Sequence, residues 1–455
     1  MVKNYSSSVS IDSNKEPQVF TRDTVDCQDL GSNFLQKTKD YAKQFFYVYS
    51  CRLQELRSIL EDKVSKKWPN VKILKLAELE NLEDDKCIVI GTLFKHQAWK
   101  PSILRELSDE IEESGVIPER RAHYASEKDQ VFLEDEMLRI KVVGDVDLSG
   151  IVTGVVCAVL GKTLDDGSFK IEDWCFPGCP PHQDLPSAAS GKLLLVSGLD
   201  LASETNNLAR HLLLEWISGM AGSSEAQKEA ASIINVVIAG NSIKTTDSEN
   251  QHSRGLMGTK ALEIASSREL SIGVSKLDKL LTEMLNYCSV TLMPGQFDPS
   301  NVMLPQKPIH RLLLRESKGF ENLRGVNNPW SGVVGNRLIC GSSGQPIEDI
   351  MRVIGDSEAT ALQWLEKTLE WRHFCPTAPD TLPSYPFHDK DLFIMQQCPD
   401  IYFAGNTDKF ETKIWKAEDD KPVRLICVPK FSTTSTAVLV DLKTLDVTPV
   451  SFGIN

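Results

Sequence analysis

The sequence predicts a fold of mixed class, β and α/β: a small closed barrel led by a helix, then a larger layered α/β domain. Three observations carry that prediction. The chain has 455 residues, more than one hydrophobic core normally serves, and roughly 150 residues per domain gives two or three domains. Short strand-like runs separated by turn signals fill residues 87–176, whereas strands alternate with helical patterns after residue 191. Between the two patterns lies CFPGCPPHQDLPSAASG (175–191), whose four prolines mark a boundary. The expected division is a disordered tail over 1–33, a helix plus barrel over 34–180, and the α/β domain over 181–455.

Residues 1–33 are polar and lack apolar periodicity, which predicts a loose tail. From Phe34 to Trp68 the chain reads as helix. Phe45, Val48, Leu53, Leu56, Ile59 and Leu60 recur at spacings near three and four, and Pro69 stops the pattern. Four strand runs follow: CIVIGTLF (87–94), VFLEDEMLRIKVVG (131–144), IVTGVVCAVLG (151–161) and FKIEDWCF (169–176), with a helical stretch PSILRELSDEIEE (101–113) inserted. That arrangement suits a barrel of the OB type, a fold that binds single strands or proteins. Phe94 and Trp99 are the aromatic side chains a single-strand-binding barrel would use for stacking. After residue 191 the order is LLLVSG, LARHLLLEWISGM, INVVIAGN, SKLDKLLTEMLNYC, VTLMPG, a strand–helix alternation whose functional loops belong at the carboxyl ends of the strands. Trp364, Leu365 and Leu369 have helical spacing and are expected to pack on the sheet, with Trp371 and His373 at its border. The loop CPTAPDTLPSYPF (375–387) is stiffened by four prolines, and its sequence leaves open whether it faces a partner or its own domain. The run from Val423 to Phe452 reads as two strands completing a sheet.

Composition excludes several classes. Fifty basic against sixty-three acidic side chains give a net charge of −13, which repels phosphate backbones, so nucleic acid is at most an indirect partner. The eleven cysteines are scattered and odd in number, which argues for a reducing compartment rather than a disulfide framework. Cys175, Cys179 and His182 offer three metal ligands at unconventional spacing with no fourth nearby. The amino terminus has no charged head followed by an apolar stretch, and the longest apolar run, IVTGVVCAVL (151–160), is too short to span a bilayer, so an intracellular protein without a membrane partner is expected. Gly161-Lys162-Thr163 lacks the glycine that a phosphate loop requires five residues earlier, where Val156 stands. Gly341-Ser342-Ser343-Gly344 lacks the spacing of a nucleophile elbow.

Five apolar runs of the second domain end on glycine-bearing corners: LLLVSGLDL (193–201), INVVIAGN (234–241), VTLMPGQFDPSN (290–301), RLICGSSGQ (337–345) and IYFAGNTDKF (401–410). Corners of this kind carry the ligands of two-metal phosphoesterases, which hold two divalent ions roughly 3.5–4 Å apart and need several carboxylates and imidazoles to do so. The residues here are Ser197 and Leu199, Asn241, then Gln296, Phe297 and Asp298, then Ser343, then Asn406 and Asp408. No imidazole is among them. Hydroxyls and amides are neutral, Leu199 and Phe297 add hydrocarbon, and only Asp298 and Asp408 keep a charge. These residues predict vestigial positions with no catalytic residue, metal or cofactor, and leave residual phosphodiesterase chemistry through Asp298 and Asp408 as the enzyme alternative.

Seven strings carry a resemblance: YSCRLQELRSIL (49–60), GTLFKHQAWKPSILRELSDE (91–110), FLEDEMLRIKV (132–142), MPGQFDPSN (293–301), SGQPIEDI (343–350), CPTAPDTLPSYPF (375–387) and CPDIYFAGN (398–406). In them the chain resembles the B-family accessory subunits of replicative DNA polymerases, and within that family the delta type. The resemblance implies an OB fold followed by an inactivated calcineurin-like phosphoesterase domain, a sandwich of α/β type. It implies as partners the catalytic subunit of DNA polymerase delta, through that subunit's cysteine-rich carboxyl-terminal module, and the third, elongated subunit of the complex. It further implies a nuclear role in replication and repair synthesis, and sharing with polymerase zeta in some lineages.

Overall fold

The computed structural model describes residues 3–4, 19–35, 42–81, 86–100, 122–144, 147, 150–203, 207–244, 260–355, 357–417 and 420–453. The helical stretch expected over 101–113 lies outside them. The chain divides into two compact units, one made of Met1–Leu35, Pro181–Gln345 and Gln397–Asn455, the other of Gln36–Pro180 and Pro346–Gln396. Among the described residues no helix is long and apolar enough to cross a membrane.

Two short strands, β1 (Lys3–Asn4) and β2 (Cys27–Asp29), open the chain and belong to the first of these units. The barrel unit begins with α1 (Phe46–Lys67). Val48, Arg52, Leu56, Leu60 and Val64 follow one another at the four-residue spacing that stacks side chains along one helix face, and with Leu53 they are buried. Phe45 stays 46% exposed ahead of the helix. Strands β3 (Ile73–Leu74), β4 (Cys87–His96), β5 (Gln130–Glu134), β6 (Arg139–Gly144), β7 (Val156–Thr163) and β8 (Phe169–Cys175) follow. β4 pairs with both β5 and β7, β5 with β6, and β8 with both β6 and β7, so the sheet closes on itself and leaves no edge inside the ring. The apolar face of α1 packs on Ile88 and Ile90 of β4 and on Val156 and Ala158 of β7.

The sheet-pair unit holds β9 (Lys192–Val196), α2 (Asn207–Ile217), α3 (Ser224–Ala231), β10 (Ile233–Ala239), α4 (Lys260–Leu285), β11 (Ser289–Met293), β12 (Leu323–Gly325), β13 (Trp330–Val334) and β14 (Arg337–Ser342). After α5 (Gln345–Ile354) and α6 (Ala361–Glu370) it resumes with β15 (Ile401–Thr407), β16 (Glu411–Lys416), β17 (Pro422–Pro429), α7 (Phe431–Thr434), β18 (Thr436–Asp441) and β19 (Val447–Ser451). One sheet has the order β1-β19-β18-β9-β10-β11-β12 and the other β16-β17-β15-β14-β13-β2. Alternation along β9 sends Leu193 and Leu195 into a cluster shared with Trp330, Ile339, Phe403 and Ile426 of the second sheet, while Leu194 and Val196 pack with Leu213, Trp216, Leu277 and Leu281 of the helices. A strand buried on both faces reads as an unbroken apolar run, which is why these segments were legible.

Three expectations change. The tail expected to be loose through residue 33 contains β2, which pairs antiparallel with β13. Nearby, Arg22 donates to the carbonyls of Ile217 (2.7 Å), Ala230 (2.8 Å) and Tyr287 (3.1 Å), near the carboxyl ends of α2, α3 and α4, where helices leave acceptors unpaired. Residues 346–396, expected to belong with the α/β sheet, cluster instead with the barrel unit. The run from Val423 to Phe452 forms three strands rather than two, with β17 in one sheet and β18 and β19 in the other.

Candidate functional site

The parallel strands β9, β10 and β11 of one sheet and β14 and β15 of the other all run into the corners. Open α/β sheets place ligand sites at such carboxyl ends. Here the corners meet one another. A Cβ on Gly240 would stand 2.5 Å from the Ser343 Cβ and 2.7 Å from the Gly295 Cα, so only glycine permits that approach, and its φ of +77° lies in the left-handed region.

Polar groups join the corners into one circuit. Ser197, fully buried, donates its hydroxyl towards the carbonyls of Val428 and Pro429 (both 3.1 Å) and accepts the Asn406 N–H at 2.9 Å. Asn406, at φ +54°, donates its side-chain amide to Ala239 O (3.1 Å) and Ser343 O (2.8 Å). Ser343 donates to Gln345 Oε1, and Asn328 Nδ2 reaches Ser343 Oγ (2.7 Å), Gln345 Oε1 (2.6 Å) and Gln306 Oε1 (2.8 Å). Gln306 in turn donates to Gly295 O at 3.1 Å, and Phe297 N–H donates to Asn241 Oδ1 at 3.3 Å. Leu199 is buried in the core beneath the helices, whereas Gln296 is exposed.

The two surviving carboxylates have opposite surroundings. Asp298 is 6% exposed and accepts from the backbone N–H groups of Ser242 (3.1 Å), Ile243 (2.9 Å) and Gly295 (2.9 Å). Burial raises its carboxyl above the ordinary range, with those donors pulling the other way. Asp408 has a side chain 87% exposed, with Lys430 Nζ at 3.4 Å. Among the described residues no group of three or more His, Cys, Asp or Glu side chains is placed to hold a metal ion, Cys175, Cys179 and His182 included.

A second polar cluster lies inside the barrel unit. Arg52, wholly buried on α1, donates Nε to Asp391 Oδ2 (2.6 Å) and its terminal nitrogens to the carbonyls of Gly154 (2.8 Å), Pro376 (2.9 Å) and Ala378 (2.7 Å). The proline-rich loop thus faces its own unit. His373 accepts the Cys375 N–H on Nδ1, so the proton sits on Nε2 and is donated to Asp391 at 3.0 Å. Burial and the Arg52 charge lower His373 to about 4. Burial alone would raise Asp391, yet Arg52 and then His373 hold it well below the usual carboxylate range.

Similarity to known proteins follows the same two-part order. Residues 44–174 match a family model described as DNA polymerase delta subunit OB-fold domain, and residues 193–412 match one describing the B subunit of DNA polymerase alpha/epsilon. The chain is 39% identical over 431 residues to DNA polymerase delta subunit 2 of Drosophila melanogaster, covering 94% of this chain and 97% of that one. It is 37% identical over 452 residues to the DNA polymerase delta small subunit of Arabidopsis thaliana (98% and 99%), and 28% identical over 464 residues to that of Saccharomyces cerevisiae (92% and 91%). The chain belongs to the DNA polymerase delta small-subunit family.

As a member of that family it is an accessory subunit, with an OB-fold domain ahead of its second, larger family domain. In this small subunit two half-buried phenylalanines form an aromatic pair on the barrel. Phe94 and Phe132 face each other across β4 and β5, and the Arg139 guanidinium lies 4.1 Å from the Phe94 ring centre while ion-pairing with Glu134. Trp99 is 43% exposed, its ring 6.3 Å from that of His123. Sequence reasoning missed Gln306, Asn328 and Gln345, whose neutral side chains carry no charge or motif signal. It also missed Arg52, though a readable sign existed: Arg52 falls four residues after Val48 and four before Leu56, on the apolar stripe.

Proposed function

We propose that this chain is a non-catalytic scaffold of DNA polymerase delta, bridging the catalytic subunit's carboxyl-terminal module and the third, elongated subunit. Its sheet-pair unit is read as an inactivated calcineurin-like phosphoesterase sandwich, in which Ser197, Leu199, Asn241, Gln296, Phe297, Asp298, Ser343, Asn406 and Asp408 stand at vestigial active-site positions. The observation that carries this reading is the closed circuit of neutral groups. Ser197, Ser343, Asn328, Gln306 and Asn406 direct donors at one another and at backbone carbonyls, and both Asp298 oxygens are occupied by backbone N–H groups. Two dications need charged donors to offset their desolvation, and this donor set does not fit them.

A retired active-site domain keeps a rigid surface, and permanent partners bury roughly 2,000 Å² or more of it. The complex would act in the nucleus, in replication and repair synthesis, and the same chain would serve polymerase zeta where lineages share it. Gel filtration of the full-length chain with the purified catalytic subunit tests the assembly, which is expected to elute as one stable species; separate elution sinks the proposal. A manganese titration against a chromogenic phosphodiester tests the inactivity. Turnover that disappears in Asp298→Ala would restore the enzyme reading.

A further inference from the structure

The connection from β11 to β12 runs from residue 294 to residue 322 with only two short 3-10 turns, Arg311–Leu313 and Ser317–Gly319. Loops longer than about 12–15 residues are uncommon in compact domains and usually functional. This one leaves the third corner and is held in place along its length. Asn301 accepts the Lys307 N–H at 2.7 Å and donates to Pro305 O at 3.2 Å, closing a tight turn. Gln306 enters the buried amide circuit, Ile309 and Leu314 join the core beneath the helices, and Asp278 of α4 accepts the backbone N–H groups of Glu316 (2.8 Å) and Ser317 (2.9 Å).

Between those anchors the loop turns apolar side chains outward. Val302 is 74% exposed, Met303 40%, Leu312 72% and Leu313 39%. Isolated exposed apolar residues are ordinary, but two adjacent pairs on one anchored loop mark an interaction surface. Its charge says what it takes. Over residues 300–320 four basic side chains, Lys307, Arg311, Arg315 and Lys318, stand against one acid, Glu316, in a chain of net charge −13. Among the described residues none of the four basic side chains has an ion-pair partner.

We propose that this loop is the docking surface for an acidic segment of a polymerase partner subunit, one that alternates carboxylates with aliphatic side chains. The proposal rests on the assembly reading above and adds the surface and its chemistry. A second copy of this chain fits poorly, because a two-fold contact would set the same basic loop against itself. Single-stranded nucleic acid fits poorly too, since it calls for aromatic stacking and the exposed apolar groups here are aliphatic. Because the loop is ordered before any partner arrives, little conformational freedom is lost on docking.

The test titrates the full-length chain, its Leu312→Ser/Leu313→Ser variant and its Arg311→Glu/Arg315→Glu variant against the purified catalytic subunit and, separately, the third subunit. A labelled second copy of the chain and a single-stranded oligonucleotide serve as further probes. One polymerase subunit is expected to bind both variants at least about tenfold more weakly, with the arginine variant also losing salt dependence and melting temperatures unchanged. Equal binding by all three proteins overturns the proposal. So does an effect confined to the oligonucleotide, which would make the loop a nucleic-acid surface, or to the second copy, which would make it a self-association face. If the unaltered chain binds neither subunit, the assembly reading itself fails, an outcome distinct from unaltered binding by the variants.

Discussion

The barrel unit and the sheet-pair unit each bury a polar hub, and the two hubs have opposite chemistry. Arg52, Asp391 and His373 form a charged cluster that ties α1 to the Gly154 backbone and the proline-rich loop. Gln306, Asn328, Ser343 and Gln345 form a neutral one that ties the corners together. A buried charge is costly unless fully partnered, so the first hub is only as good as its completeness. Neutral amides ask less of their surroundings and bring no charge to offset a dication. The difference separates a hub held by charge from one held by neutral hydrogen bonds.

Arg52→Met should produce the largest effect, because it leaves the buried Asp391 carboxylate without its guanidinium counter-charge, at about 3–5 kcal/mol. A chain of two units has no single unfolding free energy, so the readout is amide hydrogen exchange. Protection should fall in β4 and β7 and hold in β9 and β10. Equal loss in both units would erase the contrast between the hubs.

Acid should sharpen it next. The unfolded chain protonates a histidine below about 6.5, but the folded unit protonates His373 only near 4. Across that window the unfolded state binds more protons, so stability falls as the pH drops, by about 3 kcal/mol at the lower end. Asp391, also depressed on folding, adds to the loss below the ordinary aspartate range. Asp298 runs the other way: its raised carboxyl contributes stability that is present in acid and lost as the pH rises through the folded value. Between pH 6.5 and 4 the barrel strands should therefore lose protection before the corner strands, and His373→Gln should remove most of the difference. Simultaneous loss in wild type would break the comparison.

How much of this was legible follows from range. Period-two and near-period-four apolar patterns are local, and they marked β4, β7, β9 to β11 and α1 because each buries its own stripe. The assignment of residues 346–396 to the barrel unit was not legible, since it depends on Arg52 meeting Asp391, Pro376 and Ala378 more than 300 residues along the chain. The order of the segment around Arg22 and β2 escaped for the same reason: a three-residue strand and one guanidinium have no periodicity to read. At the corners, missing imidazoles were visible as absences. The side chains now making the circuit were not, because asparagine, glutamine and serine are equally at home in any loop.

Asn328→Leu should cost less than the Arg52 change to the charged hub, about 1–3 kcal/mol, by leaving Ser343 Oγ without its donor and taking one of two donors from the Gln306 and Gln345 oxygens. Loss of protection should centre on β11, β14 and β15, whose corners the circuit joins. If α1 and the barrel strands lost protection to the same extent, the two hubs would not be independent.

Arg139→Ala is the smallest expected effect and asks whether the barrel surface is closed by design of its charges. The guanidinium over Phe94 is partly exposed, so its removal should cost about 0.5–1 kcal/mol. Its loss also bares the Phe94 and Phe132 rings, which sit 6.4 Å apart on neighbouring strands. If the aromatic pair is a packed surface and not a stacking platform, single-stranded DNA should bind the variant no better than the parent chain, because the surrounding charge still repels phosphate. A gain of tenfold or more in affinity for an oligonucleotide, lost again in Phe94→Ala, would show that Arg139 masks a working nucleic-acid face, and would move the barrel unit from the structural side of the comparison to the functional one.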